Sequence, residues 1–370
     1  MENASLLDAT RVGFASLSVS PTVQEGALNH LAAWLDEPRC VAYRAQIVSM
    51  IERGRWADLL NGFYQTLPFG TGGRRGRVGM GPNGFNPWTL ATSIQGHAEW
   101  LKQTRGEHGL SVVIGYDVRR FTDISGTLDP DIPTPIHGIT SRNFAEIAAE
   151  IYAAHDIIVY LPPEGSFLST PELSFAVRAM RADAGLVISA SHNPPDDNGS
   201  KFYHHHGGQL VPPFDEELER WVLESTRVDR MSLDRAVANG LIRELPPSLH
   251  QEYIDLNLTT SRMPEHRNLP IVFTSLHGTS DATVADTLRE AGFACTLEPT
   301  QAMHDGTFPT VPFQMPNPEQ PATLSAAIDT ANRVGAQVVM GCDPDADRLG
   351  VGVLHDDQWG NFIGEISNPI

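Results

Sequence analysis

Cysteine is scarce in this sequence. Three are present among 370 residues, Cys40, Cys295 and Cys342, far apart and without a C-x-x-C pair. So odd and sparse a set is no disulfide framework, and it predicts reduced thiols in a cytoplasmic protein. Long apolar runs are missing too. None approaches the ~18 residues that a membrane-spanning helix needs. The opening MENASLLDATRVGF lacks the basic stretch and the apolar stretch of a secretory leader. Both absences predict a soluble, cytosolic chain with no membrane partner. Basic residues are the third shortage: 26 Lys and Arg face 45 Asp and Glu, for a net charge of −19. Such a charge repels nucleic acid and anionic membranes, which argues against either as partner. An anionic small substrate is not excluded, because local basic loops can override the global field. No fixed-period repeat or low-complexity tract is present.

What is present is a globular chain. Hydrophobic residues make up 41% of it, enough for two cores, and the length suits two or three domains. Residues 1–25 are weakly patterned and read as a flexible lead. From Gly26 to about Tyr64 the apolar spacing is helical. Leu28, Leu31, Ala32 and Leu35 fall on one face, and Ile47, Met50 and Ile51 continue it. After a glycine-rich stretch at 69–84, helices alternate with apolar strands. Helices are expected at 89–103, 144–155 and 170–182, the last with Thr170 as cap and Pro171 in its first turn. Strands are expected at 111–117, 156–161 and 185–190. A charged stretch at 222–240 places a domain boundary near 235/236. The rhythm restarts with strands at 269–276, 294–298 and 336–342 and helices at 281–292 and 321–335. This βαβ rhythm implies a largely parallel or mixed sheet covered on both faces.

Three loops carry chemistry. CDPDADRLG follows the apolar run AQVVMGC, so it hangs from a rigid strand. Asp343, Asp345 and Asp347 alternate, and in an extended loop alternate side chains point the same way. Converging carboxylates repel unless a cation joins them, and hard oxygens suit Mg²⁺ or Ca²⁺. An EF-hand fails on spacing: Arg348 stands where glycine is required and Leu354 where glutamate is required. A solvated acidic turn is the rival. The second loop, ISASHNPPDDNGSKFY, sets Ser191 beside His192 at the lip of a strand. Asn193-Pro194 bends the chain, and Asn198-Gly199 is expected to turn Lys201 back toward the serine. A lone serine in a turn is usually a turn residue; facing a metal site, it becomes a ligand or a phosphoryl carrier. The third loop, FGTGGRRG, matches no dinucleotide or Walker pattern. Its small residues with Arg74, Arg75 and Arg77 suit an oxyanion such as phosphate. Three consecutive histidines, His204–His206, read as a solvated loop, and Trp34, Trp56, Trp88 and Trp100 read as core or anchor residues.

SASHNP with a downstream NGSK, DPDADR, FGTGGRRG and TSLHGTS stand here in one order and at domain-scale spacing. Together they resemble the phosphoglucomutase/phosphomannomutase (α-D-phosphohexomutase) family. GRVGMGPNGFNPWTLATSIQG resembles most its phosphopentomutase-like and glucose-1,6-bisphosphate synthase-like subgroup. The resemblance covers about residues 26–365. It implies α/β architecture, two tandem mixed-sheet αβα-sandwich domains at 26–235 and 236–370. It implies that Ser191 is phosphorylated, and that Asp343, Asp345 and Asp347 hold Mg²⁺ with a phosphoserine oxygen. Lys201 matches the family's general acid/base, able to move the hydroxyl proton if nearby cations lower its pKa. Arg75 and Arg348 match motif arginines, Arg119 closes a G-x-D-x-R strand end, and His192 and His277 match motif histidines. Arg75, Arg119, Lys201, Arg348 and His277 are thus expected at the substrate. The implied reaction moves a phosphoryl group on a hexose or pentose phosphate through a bisphosphorylated intermediate, with glucose 1,6-bisphosphate or a similar bisphosphosugar as activator.

The sequence also departs from the family. Ile370 lies 23 residues past Asp347, so the family's third and fourth domains are expected to be absent. GEIS at 364–367 and SGT at 125–127 resemble motifs of those domains but lie in the wrong places. FGTGG replaces FGTSG, Arg74 replaces an apolar residue, and Ser189 replaces threonine. Without remote contacts to position the reacting atoms, weak or no turnover is expected. The alternatives are a phosphosugar-binding or scaffolding paralogue and a haloacid dehalogenase-like phosphatase using Asp343 and Asp345. The sugar and the oligomeric state stay open.

Overall fold

A computed structural model describes residues 2–70, 72–225 and 227–365. Four helices lead the chain: α1 (Asn3–Phe14), α2 (Pro21–Asp36), α3 (Arg44–Glu52) and α4 (Trp56–Phe63). Ser20 caps α2, accepting from the Val23 N–H, and Pro21 occupies its first turn. The apolar stripe of α2 buries Leu28, Leu31 and Trp34. The flexible lead expected at 1–25 is instead helical over Asn3–Phe14 and again from Pro21. Helix α1 buries Leu6 and Phe14, and Gly13 lies so close under Trp56 that a Cβ would meet the ring at 2.2 Å. Its buried stripe is Leu6, Thr10, Gly13 and Phe14, too poor in apolar residues to register as a periodic face.

The first sheet collects β1 (Gly73–Arg77), β2 (Ser111–Tyr116), β3 (Ile158–Leu161), β4 (Ala184–Ile188), β5 (Asp197–His204) and β6 (Ile242–Glu244). Their order is β1-β5-β4-β2-β3-β6. Strands β4, β2, β3 and β6 run parallel, and β5 and β1 are added antiparallel. The intervening helices are α5 (Pro87–Arg105), α6 (Ser141–Ala154), α7 (Thr170–Ala179), α8 (Phe214–Glu224) and α9 (Leu233–Ala238). Alternate strand residues enter different cores. Val112, Ile114, Leu186 and Ile188 join α5, α6 and the leading helices, whereas Val113 and Val187 join Leu173, Ala176 and Val177 of α7. Burial on both faces explains the unbroken apolar strands. Because β6 pairs with β3, the first sheet reaches past the boundary expected at 235/236.

The second sheet follows α10 (Leu249–Leu258) and contains β7 (Ile271–Thr274), β8 (Cys295–Leu297), β9 (Val338–Cys342), β10 (Arg348–His355) and β11 (Gln358–Glu365). Its order is β11-β10-β9-β7-β8, parallel at β9-β7-β8 and antiparallel beyond. Helices α11 (Asp286–Glu290) and α12 (Ser325–Val334) complete it. Ala327 and Ala331 of α12 pack on Val272 and Val339. An apolar cluster of Val118, Leu276, Phe308 and Val311 joins the two units.

Candidate active site

Strand β4 is buried at every position, so the loop beyond Ile188 starts from a rigid support. Ser189 Oγ donates to Asp117 Oδ2 (2.7 Å) and accepts from the Ser191 N–H (2.8 Å). Ser191 is buried and left-handed, with φ of 53°, a backbone state that a non-glycine residue keeps only when its surroundings enforce it. Arg119 does the enforcing. Its guanidinium donates to the carbonyl oxygens of Ser191, Asn193, Pro194 and Asp197, and its Nε to Asp117 Oδ2 at 2.9 Å. With its side chain fully buried, Arg119 has no face for a substrate. The substrate contact expected of it is replaced by a positioning role.

Strand β9 delivers the acidic loop. The expected extended run is instead a turn: the Ala346 N–H donates to Asp343 O (2.9 Å), and Ala346 has φ of 63°. The three carboxylates still converge, with one oxygen from each within 4.8 Å of the others. The loop TSLHGTS supports the turn from below. Thr279 donates to Pro344 O through its N–H and its Oγ1, both at 3.0 Å. Burial, then Asp345 and Asp347, push Asp343 well above the carboxylate range. Burial would also raise Asp345, but the Lys201 ammonium outweighs it and holds Asp345 below that range.

The two loops meet. Ser191 Oγ donates to Asp343 Oδ2 at 2.5 Å and lies 3.5 Å from Asp347 Oδ1 and 3.3 Å from His192 Nδ1. Lys201 Nζ donates to Asp345 Oδ2 (2.7 Å) and Asp347 Oδ2 (2.8 Å). Asn198-Gly199 makes no second turn. Both lie in β5, which carries Lys201 to the site as a strand residue. Nor is Lys201 lowered: burial acts that way, but Asp345 and Asp347 win and hold its pKa well above normal. The charges nearest its ammonium are the carboxylates of Asp345 and Asp347. Asp345 Oδ1 is buried without a partner. Three carboxylates, one ammonium and an orphaned hard oxygen fit a hard divalent cation such as Mg²⁺.

Of the three loop arginines, one faces out. Arg74 is buried, donating to Thr89 O (3.0 Å) and toward Thr92 and Ser93. Arg77 turns to Asp123 (3.4 Å) and Asp196 (3.8 Å). Arg75 is exposed, with no side-chain hydrogen bond or ion pair among the described residues. It lines a cleft of about 390 Å³ with Lys201, Ser189, Ser200 and Gln209. Within this glycine-rich stretch, Gly73–Arg77 form the edge strand β1, packed so tightly that a Cβ on Gly73 would sit 1.8 Å from Ser200 O. Arg348 donates its N–H to Asp343 Oδ1 (3.1 Å) and Nη1 to Glu319 (3.2 Å). His192 is lowered to about 4 by burial and then by Arg348 and Arg75, so it is a neutral imidazole at pH 7. His277 is buried with both nitrogens engaged, Nδ1 with Met303 O and Nε2 with Thr310 Oγ1, each at 2.8 Å. It braces its loop and has no nitrogen left for a substrate. Sequence reasoning missed Asp117, the anchor of Ser189, and Thr170, which touches Asp345. Only G-x-D-x-R spacing pointed at the first.

This arrangement defines a two-domain α/β protein with a serine–carboxylate site at the domain junction. Residues 66–124 and 138–229 match phosphoglucomutase/phosphomannomutase α/β/α domain I, and residues 251–356 match domain II. The phosphoglucomutase of Staphylococcus aureus (strain MRSA252) is 35% identical over 295 residues, 78% of this chain and 48% of that protein. The phosphoglucomutase of Staphylococcus epidermidis is 35% identical over 313 residues, 84% of this chain and 52% of that protein. The chain belongs to the phosphoglucomutase/phosphomannomutase family, and it spans about half the length of these relatives. Two solved structures share its fold. A family protein from Burkholderia thailandensis has TM-score 0.58 at 19% identity, covering 77% of this chain and 54% of that one. The Paramecium phosphoglucomutase parafusin, in an open form, has TM-score 0.52 at 19% identity, covering 80% and 54%.

Proposed function

We propose that the chain carries the phosphoryl-transfer half of a phosphosugar mutase, with Ser191 as the phosphoryl carrier. The supporting observation is Ser191 Oγ, held in a strained loop 2.5 Å from Asp343 Oδ2 of the other domain. A phosphoserine there donates to a hydroxyl of a hexose or pentose phosphate. The bond from phosphorus to Ser191 Oγ breaks as a bond to the sugar oxygen forms, and the hydroxyl proton ends on Ser191 Oγ. Lys201, held as an ammonium, is the residue we assign to that proton's passage: it gives a proton to the leaving Ser191 Oγ and takes up the one from the sugar hydroxyl. The resulting bisphosphosugar, for instance glucose 1,6-bisphosphate, returns its other phosphoryl group to Ser191. Such transfer depends on charge neutralisation and in-line positioning. Asp343, Asp345 and Asp347 hold Mg²⁺, whose charge offsets that of the phosphoryl group. Arg75, free at the cleft, takes a phosphate oxygen, and neutral His192 orients Ser191 Oγ.

Incubation with glucose 1,6-bisphosphate and Mg²⁺, followed by phosphosite mass spectrometry, tests this reading. The wild-type chain should carry phosphate on Ser191, and Ser191→Ala should carry none. Phosphate on an aspartate, or no phosphate, would overturn it.

A further inference from the structure

We infer that Thr170 is a positioning residue for the cation site, setting the Asp345 carboxylate from the opposite domain. This rests on the acidic turn holding a divalent cation. Thr170 was expected to cap α7, but Ser169 does so, its Oγ accepting from the Glu172 N–H. The displacement by one residue frees Thr170. As the first residue of the helix, its N–H has no intrahelical acceptor, and it donates to Asp345 O at 2.9 Å. Its Oγ1 donates to Asp345 Oδ2 at 3.1 Å, across 175 residues of sequence. One residue of the serine domain therefore grips both the backbone and the carboxylate of one acidic-turn residue.

The grip is directional. Lys201 Nζ donates to the same Oδ2. Two donors on one oxygen oppose rotation of the carboxylate and leave Oδ1, which is buried without a partner. A buried carboxylate oxygen with no donor is costly unless a cation takes it. Lys201 is divided between Asp345 and Asp347, so it does not define the Asp345 orientation alone. The Thr170 hydroxyl bonds only Asp345 among the described residues, and Thr170 is fully buried.

Isothermal titration of Mg²⁺, and of Mn²⁺ as a second probe, into the full chain tests this independently of turnover. Thr170→Val keeps the β-branched shape and removes the hydroxyl. It should weaken cation binding about 10-fold, as loss of a bond that orients a metal ligand does. Thr170→Ser should bind within about twofold of wild type by the same measure. Ser169→Ala removes the cap, lowers the melting temperature and leaves cation affinity intact. Thr170→Ala replaces the valine variant if that one fails to fold. Wild-type affinity without the hydroxyl would overturn the inference and leave the cation site standing. So would equal weakening in Ser169→Ala, since helix stability would then explain the effect. No binding by the wild-type chain would remove the cation site and the inference together.

Discussion

Arg119 commits its guanidinium and its carboxylate partner to one buried network. Asp117 is raised by burial, and Arg119 is first among the groups that oppose the rise. Arg119→Leu would strand that carboxylate and release four carbonyls of the serine loop. Removing one partner of a buried pair costs about 3–5 kcal/mol. A fall of that size should appear in the urea midpoint at unchanged m; a shift below ~1 kcal/mol would contradict it. His97 offers a test of pH dependence. It is fully buried against Tyr152, Trp100 and Phe202 and is lowered to about 3, by burial and then by His204. The folded value lies below the unfolded one near 6.5. The unfolded chain therefore takes up the proton first, and stability is lost as pH falls through that range. Between pH 7 and pH 5 this group should cost roughly 2 kcal/mol. Urea titrations should show a shallower pH slope in His97→Gln; parallel slopes would assign the loss elsewhere.

Elements place these residues. Strand β5 is the axis of the serine domain's half of the site: β4 on one side leads into Ser191, and β1 on the other carries Arg75. Gly73→Ala would drive a Cβ into Ser200 O and peel β1 from β5. Amide exchange in β1 should then quicken ~10-fold or more, and unchanged protection would show that the edge tolerates the side chain. On the other domain, Gly278 packs so closely that a Cβ would lie 2.4 Å from Pro344 Cα. Gly278→Ala should displace the acidic turn and weaken Mg²⁺ binding roughly 10-fold, measured by titration calorimetry. Full affinity would mean that TSLHGTS does not set the turn.

Across the whole molecule, the acidic turn of one domain faces the serine loop of the other. The junction has an apolar cluster, but much of its contact at the site is electrostatic. Phosphorylation of Ser191 would add about −1.5 to −2 charges beside three carboxylates. Phosphorylated chain in EDTA should therefore open, and Mg²⁺ should close it. Small-angle scattering should give a larger radius of gyration in EDTA than in Mg²⁺; equal radii would mean that the apolar contacts alone hold the domains. No helix of the described residues is long and apolar enough to cross a membrane.

The alternation of apolar runs with amphipathic helices was legible in the sequence, because a strand buried on both faces must be apolar throughout. The convergence of the three aspartates was legible in their spacing, whereas Ser191 stood out only through the motif resemblance. Helix α1 was not legible, since its buried stripe includes Thr10 and Gly13. The roles of Arg119, His277, Arg74 and Arg77 were not legible either. A polar side chain in a motif reads alike whether its nitrogens face a ligand or close on neighbouring oxygens, and only packing distinguishes the two. Local pattern thus determined which strands exist and which loops bear reactive groups. The motif resemblance, not local pattern, implied that Ser191 meets the aspartates; tertiary structure alone decided that Lys201 is held charged between two carboxylates and that Thr170 reaches Asp345. Those contacts join residues more than 140 positions apart, and no periodicity within either segment encodes them.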